Sequence, residues 1–283
     1  IQNQTSPENI FVVPYDKVFA GGFNWAMMHN HLQGQVKYNF TQQPWNGYAT
    51  IEEFYMSYVD PAQNPGPQGP VWLGLADFDP NDDTTPNGVG TLDARLGNFQ
   101  VGPQFALDGS PLEDPGYEGE GTASPDPDGP RINFTPRSNE IFPNGWRQGG
   151  ARNQKYEYEI GGTNNMSNDF VIFRLADIML SKAEALWRLD NGSAEALDIV
   201  NEIRARSGVD PFPALTPDLL FAERGREMYL EMTRRQDQIR FEKFGDAWWE
   251  KEAYTQAGSQ YLVFPIPQVA IDASAALNQN PGY

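Results

Sequence analysis

Cysteine is absent from this chain of 283 residues, which excludes a disulfide framework, a thiolate metal site and a cysteine nucleophile. Histidine is almost absent, with only His29 and His31. Basic residues are scarce as well: 20 Lys and Arg stand against 38 Asp and Glu, for a net charge of −18. A surface of that sign repels phosphate backbones and anionic lipid, so nucleic acid is not an expected partner. No apolar run reaches the roughly 18 residues that a membrane-spanning helix needs. The opening "IQNQTSPENIFVVPYD" also lacks the basic start and apolar core of a secretory leader.

What is present is turn chemistry and rings. The chain holds 27 Gly and 23 Pro, yet 13% of it is aromatic, a mixture that predicts ordered irregular chain rather than disorder. In its first sixty residues, Ile51, Phe54, Tyr55 and Tyr58 recur at helical spacing, and Thr50 is placed to cap a helix running to Tyr58. The next hundred residues are dominated by turns, with 14 of the 23 prolines between Pro61 and Pro143. A structureless loop of that length is rare in a compact domain, so its scattered aromatics are expected to pin loops onto a scaffold.

Helices become clear from Asn168 onwards. "DFVIFRLADIMLSKAEALWRLDNG" is apolar around most of its circumference, which predicts burial on several sides. Gly192 ends it, Ser193 caps the following helix from Ala194 to Arg206, and the pair reads as a helical hairpin. Thr216, Pro217 and Asp218 read as N-cap, N1 and N2 of a long helix continuing towards Phe244. The two prolines of "YLVFPIP" exclude a central strand there.

Three clusters could carry chemistry. Glu223, Glu227, Glu231 and Arg235 are spaced by four, which puts them on one helical face, with Arg224 and Arg234 alongside. Such a ladder could supply the carboxylate pair of a glycosidase, but acids with arginines interleaved are better explained as satisfying one another's charges and fixing the helix against its neighbours. His29 and His31 would share one face of a strand as metal ligands do, but no third ligand is identifiable. In "DFDPNDDTTPNG", Asp77, Asp79, Asn81 and Asp83 alternate hard oxygen donors as a calcium loop does, against the alternative of a solvated acidic loop.

Three stretches together resemble one known family. "FRLADIMLSKAEAL", "ERGREMYLEMTRRQDQIRFEKF" and "YLVFPIPQVAIDASAALNQNPGY" look like the SusD/RagB family, and "ENIFVVPYD" and "WNGYATIEEFYMSYVD" also fit its pattern. The departure is "EMTRR", where that family usually has Glu-Gly-x-Arg, so a glycine is missing near Met232. The resemblance implies a mainly α fold: a helical, tetratricopeptide-type repeat scaffold with long irregular loops and a few short strands. Residues 1–165 would be the loop-rich binding region and residues 166–283 the helical scaffold. It also implies the C-terminal portion of a longer protein, anchored at the outer-membrane surface by a lipidated N-terminus. That protein would capture glycans without cleaving them, need no cofactor, and deliver them to a SusC-like TonB-dependent transporter. The final residues would pack back onto the helical body.

Glycan recognition needs flat apolar faces for the C–H side of sugar rings, with amides or carboxylates to pair the hydroxyls. Loop-borne rings beside amides therefore mark the expected site: Trp25 with Asn24, Trp45 and Tyr48 with Asn46, and Trp72. The competing reading is that these rings pin loops to the scaffold. Two further readings stay open, a glycoside hydrolase and a repeat module that binds only a protein.

Overall fold

The computed structural model describes residues 6–59, 93–114, 131–138, 140–141 and 145–283. Trp72 and the acidic run Asp77, Asp79, Asn81 and Asp83 lie outside the described residues. The chain divides into two compact units, Ile1–Glu231 and Met232–Tyr283.

The first unit begins with β1 (Asn9–Val13), α1 (Trp25–His29), α2 (Gly34–Tyr38), β2 (Ala49–Thr50) and α3 (Glu52–Met56). A 3-10 turn (Ala94–Asn98) leads into β3 (Phe99–Gln100) and β4 (Gly102–Pro103), and β5 (Asn133–Phe134) and β6 (Ala151–Asn153) follow. Then come β7 (Phe170–Arg174), α4 (Leu175–Leu189), α5 (Ala194–Arg206) and α6 (Pro217–Glu227). Among the described residues, three small antiparallel sheets pair β1 with β7, β4 with β5, and β2 and β3 on either side of β6. Central β6 is buried throughout.

Among the described residues, three apolar clusters hold this unit. Phe23, Trp25, Ala26, Met27, Phe40, Tyr158 and Met166 form one, and Tyr55, Tyr58, Phe99, Val101, Ala151 and Tyr229 form another. Leu112, Ile132 and Phe134 form a smaller third. Met27 and Leu180 are almost wholly buried. Each such side chain stabilises the fold by roughly 1.5–3 kcal/mol relative to leaving it in water.

The hairpin of α4 and α5 forms as the sequence predicts, with the Ser193 hydroxyl accepting from the Ala196 N–H at 3.3 Å. The expectation that α4 is buried on several sides is not met. Ala176, Leu180 and Ala183 are buried, but Leu175, Ile178 and Leu189 are exposed. Thr50 does not cap α3 either; Ile51 holds that position. Thr50 instead lies in β2 opposite Ala151, and its hydroxyl is bonded to Tyr229 and Asn153.

Thr216 caps α6 as expected, accepting from the Leu219 N–H. The helix does not continue to Phe244, however; it stops at Glu227 and a separate helix, α7 (Arg234–Arg240), follows. The physical reason is tertiary. The Lys155 ammonium donates to the carbonyls of Glu227 and Tyr229, and Arg174 also donates to the Glu227 carbonyl, so cations satisfy the orphan groups of the helix end. The Tyr229 ring joins the second core cluster. Leu230 and Met232 then take left-handed backbone, both at φ 61. Met232 is thus a non-glycine residue in the conformation that glycine favours, next to where the resemblance puts a glycine.

In the second unit, α7 is followed by a 3-10 turn (Gln260–Leu262) and α8 (Gln268–Ala273). The closing residues are held, though by the "YLVFPIP" segment rather than by a helix. The Gln279 amide accepts from the Ile266 N–H at 2.8 Å and donates to the Ile266 carbonyl at 2.9 Å. Asn280 donates to the Phe264 carbonyl, and the Tyr283 hydroxyl donates towards the carbonyls of Gln260 and Val263. Side chains here replace the strand partner that the prolines of that segment discourage.

Candidate functional site

Helix α1 has five residues, too few to satisfy its own C-terminal carbonyls. The segment Trp45–Tyr48 satisfies them from outside. The Met27 carbonyl accepts from the Trp45 N–H at 2.8 Å, and the Asn30 carbonyl from the Asn46 N–H at 3.0 Å. The Met28 carbonyl accepts from both Gly47 at 3.0 Å and Tyr48 at 2.8 Å. Four consecutive N–H groups are therefore fixed, which makes a ledge of what would otherwise be a loose loop. Asn46 takes left-handed backbone at φ 53, a conformation that asparagine tolerates better than most residues.

The ledge presents its rings to solvent: Trp45 is 55% and Tyr48 56% exposed. Between them in sequence, the Asn46 side-chain oxygen is buried and has no hydrogen-bond partner among the described residues. Trp25 is placed differently from the sequence expectation. It is 9% exposed, walled by Phe23 at 5.1 Å, Tyr156 at 5.0 Å and Phe170 at 5.7 Å, and presents no loop-borne face. Its contribution to the ledge is support. His29 lies 4.9 Å from the Trp25 ring and meets the Tyr48 ring edge-on at 6.0 Å. Asn24 sits at the N-cap of α1, where its carbonyl accepts from Met27 and Met28 while its side chain makes no cap bond.

The histidines do not share a strand face. His29 ends α1, and burial with the nearby Arg152 lowers its pKa to about 4, so the ring is neutral at neutral pH. His31 points elsewhere, with Nε2 3.4 Å from the Asp114 carboxylate and Nδ1 accepting from the Gln33 N–H. Among the described residues no group of three or more His, Asp or Glu side chains could hold a metal ion.

The glutamate ladder knits elements together. Glu223 receives Arg95 at 2.8 Å, Arg204 at 2.8 Å and Arg226 at 2.6 Å. Glu227 pairs with Arg174, Arg206 and Arg95, and Glu231 with Arg174 and Lys155. Arg224, expected beside the ladder, reaches Asp177 of α4 instead, at 2.6 Å. Arg235 belongs to α7 in the second unit, where it donates to the Tyr261 carbonyl. Burial opposes ionisation of Glu227, but Arg174, Arg206 and Arg95 outweigh it and hold its pKa at about 2. A general acid needs its pKa raised, so Glu227 is unsuited to that role. Glu231, held to the same guanidinium through both its oxygens, is not free to face it across a cleft.

Sequence reasoning identified the rings of "WNGY" but missed their anchorage, which is made of backbone groups. Gly47 carries the legible signal. A Cβ there would lie 2.7 Å from the Met28 carbonyl oxygen, so only glycine permits this approach. Gly47→Ala is expected to lift the ledge from α1 and weaken any ligand that spans Trp45 and Tyr48 by about tenfold. Its melting temperature should stay within a few degrees of wild type, which separates a displaced ledge from a damaged core.

The profile of the SusD family matches residues 7–283. The curated starch-binding protein SusD of Bacteroides thetaiotaomicron is 35% identical over 122 residues, covering 41% of this chain and 22% of that protein. Surface glycan-binding protein A from the same organism has the same fold, with TM-score 0.60 and 20% identity, over 98% of this chain and 52% of that one. Its complex with laminarihexaose aligns at TM-score 0.56 and 20% identity, over 96% of this chain and 52% of that one. A SusD-like protein from Bacteroides fragilis aligns at TM-score 0.59 and 20% identity, over all of this chain and 55% of that one. This chain therefore spans about half the length of those structures. The match from residue 7 to the final tyrosine, on a fold that persists at such low identity, leaves one reading: the chain belongs to the SusD family.

Proposed function

We propose that this protein captures an oligo- or polysaccharide without cleaving it. The observation that carries the reading is the ledge: two half-exposed rings, Trp45 and Tyr48, held on a backbone fixed by four hydrogen bonds. Fixed rings stack on sugars with little ordering cost, which is how a surface gains affinity without a deep pocket. Asn24 and Asn46 are proposed as amides for ligand hydroxyls, and Trp72 as a further ring for the ligand. In this reading the full-length protein sits at the outer-membrane surface on a lipidated N-terminus and hands its ligand to a SusC-like TonB-dependent transporter. The α4–α5 hairpin would be one member of a tetratricopeptide-type series. The acidic run Asp77, Asp79, Asn81 and Asp83 remains a proposed calcium loop, and binding that is unchanged by chelator would remove calcium from the account.

Family membership, the starch-binding relative and the laminarihexaose complex of a structural neighbour support the reading. It is tested by electrophoresis through gels containing laminarin, starch and a broader panel, with reducing ends assayed after incubation. Retardation in at least one gel, with no reducing ends released, is the expected result. Released reducing ends would make the protein a hydrolase. No retardation in any gel, with transporter binding intact, would make it a protein-binding module.

A further inference from the structure

An opening in the first unit lies away from the Trp45–Tyr48 ledge in sequence and in chemistry. It is a cavity of about 370 Å³, within the roughly 300–1,000 Å³ range of small-ligand sites. Four cationic side chains line it, Arg95 from the 3-10 turn, Lys155 after β6, Arg174 at the end of β7 and Arg206 at the end of α5, against two carboxylates, Glu8 and Glu227. Among the lining side chains cations outnumber carboxylates by two (four minus two), and Asp93, Glu223 and Glu231 behind the lining pair with Arg95, Arg174 and Lys155. Most of these cations are already fixed. Arg95 is held by Asp93, Glu223 and Glu227, and Arg174 by Glu227 and Glu231, so the site is preorganised. Arg206 differs: its side chain is 45% exposed and, among the described residues, bonds Glu8, at 2.9 Å, and Glu227. Two of the five N–H donors of its guanidinium are thus engaged, and three remain for a ligand.

We propose that this cavity binds the anionic group of an acidic sugar residue, a uronate carboxylate or a sulfate ester, with Arg206 as the contacting residue. The inference rests on the glycan-capture reading and names the class of glycan. A planar guanidinium with free donors forms charge-assisted, bidentate bonds to such groups, and neighbouring fixed cations strengthen them. Glu8 opposes the ligand: its carboxylate occupies an Arg206 nitrogen and adds negative charge to the lining.

Calorimetry of the whole chain with glucuronate, glucose 6-sulfate and glucose tests this. At least one of the two anions should bind, glucose should not bind at the cavity, and rising salt should weaken the bound anion. Arg206→Ala should weaken it about tenfold, and Glu8→Gln should tighten it about threefold. The tightening cannot be produced by a damaged fold, so the pair of variants excludes that explanation. Binding of glucuronate alone or of the sulfate alone assigns the group. If neither anion binds while a neutral polysaccharide is still retarded, the cavity inference fails and the capture reading stands. If no polysaccharide of any charge is retarded, the capture reading itself fails.

Discussion

Replacing Glu223 by glutamine should lower the free energy of unfolding by about 3–5 kcal/mol, measured as a fall in the urea midpoint at unchanged slope. Glutamine keeps the volume, so no cavity contributes; what is lost is charge. The Glu223 carboxylate is fully buried and receives three guanidinium groups, Arg95, Arg204 and Arg226, which are themselves only 10–12% exposed. Burial pushes its pKa up, and Arg226 and Arg95 more than reverse that, so the group is ionised in the folded state. Neutralising it removes the counter-charge of Arg204 and Arg226, while Arg95 keeps Asp93 and Glu227, and such removal of one buried partner is far more damaging than loss of an exposed pair. The Arg–Glu pairs on the surface provide the contrast. Arg137→Ala, which breaks a half-exposed pair with Glu52, should cost no more than about 1 kcal/mol. A Glu223→Gln protein as stable as wild type would show that the ladder does not hold α6 to the 3-10 turn and α5.

Acid should destabilise the protein in two steps of the same sign. The first belongs to His29, whose pKa is lowered from 6.5 to about 4, chiefly by burial and then by Arg152. The unfolded state takes up the proton first. Stability from this group is therefore complete above pH 6.5 and falls as pH drops towards 4, by about 1.4 kcal/mol per unit and about 3 kcal/mol in all. The second belongs to Glu227, lowered from 4.5 to about 2 although burial alone would raise it, because Arg174, Arg206 and Arg95 surround it. The unfolded carboxylate again protonates first, so a further loss of similar size runs between pH 4.5 and 2. A domain with typical stability of roughly 5–15 kcal/mol should then unfold within the acid range. His29→Phe keeps an aromatic ring against Trp25 and removes the titration. It should flatten the stability profile between pH 6.5 and 4.5 and leave the lower step intact. An unaltered slope in that variant would assign the first step to another group.

How much of this was legible depended on whether a feature was local. The caps at Ser193 and Thr216 and the α4–α5 hairpin could be read directly, because a cap involves residues only three apart. The reach of α6 could not. Nothing in "EMYLEMTRR" breaks a helix by propensity, and the stop comes from Lys155 and Arg174, which are distant in sequence and cap its carbonyls. The ladder was recognised as charge pairing, but most of its partners, Arg95, Arg174, Arg204 and Arg206, lie outside its own helix and no spacing rule selects them. Trp25 and Trp45 looked alike in sequence, each beside an asparagine. They differ because Trp25 opens a helix packed into the core, whereas Trp45 lies on the segment that covers that helix's end. Burial is a property of the whole fold, and single-residue chemistry does not contain it.

The most direct test of the central claim is the affinity of one retarded polysaccharide for wild type, Trp45→Ala, Tyr48→Ala and the double variant, measured by calorimetry at matched thermal stability. The account predicts a loss of about 1–3 kcal/mol for each single variant, about five- to 150-fold in affinity, and near-complete loss for the double. Binding that survives in the double variant would contradict it and move the capture surface elsewhere on the protein.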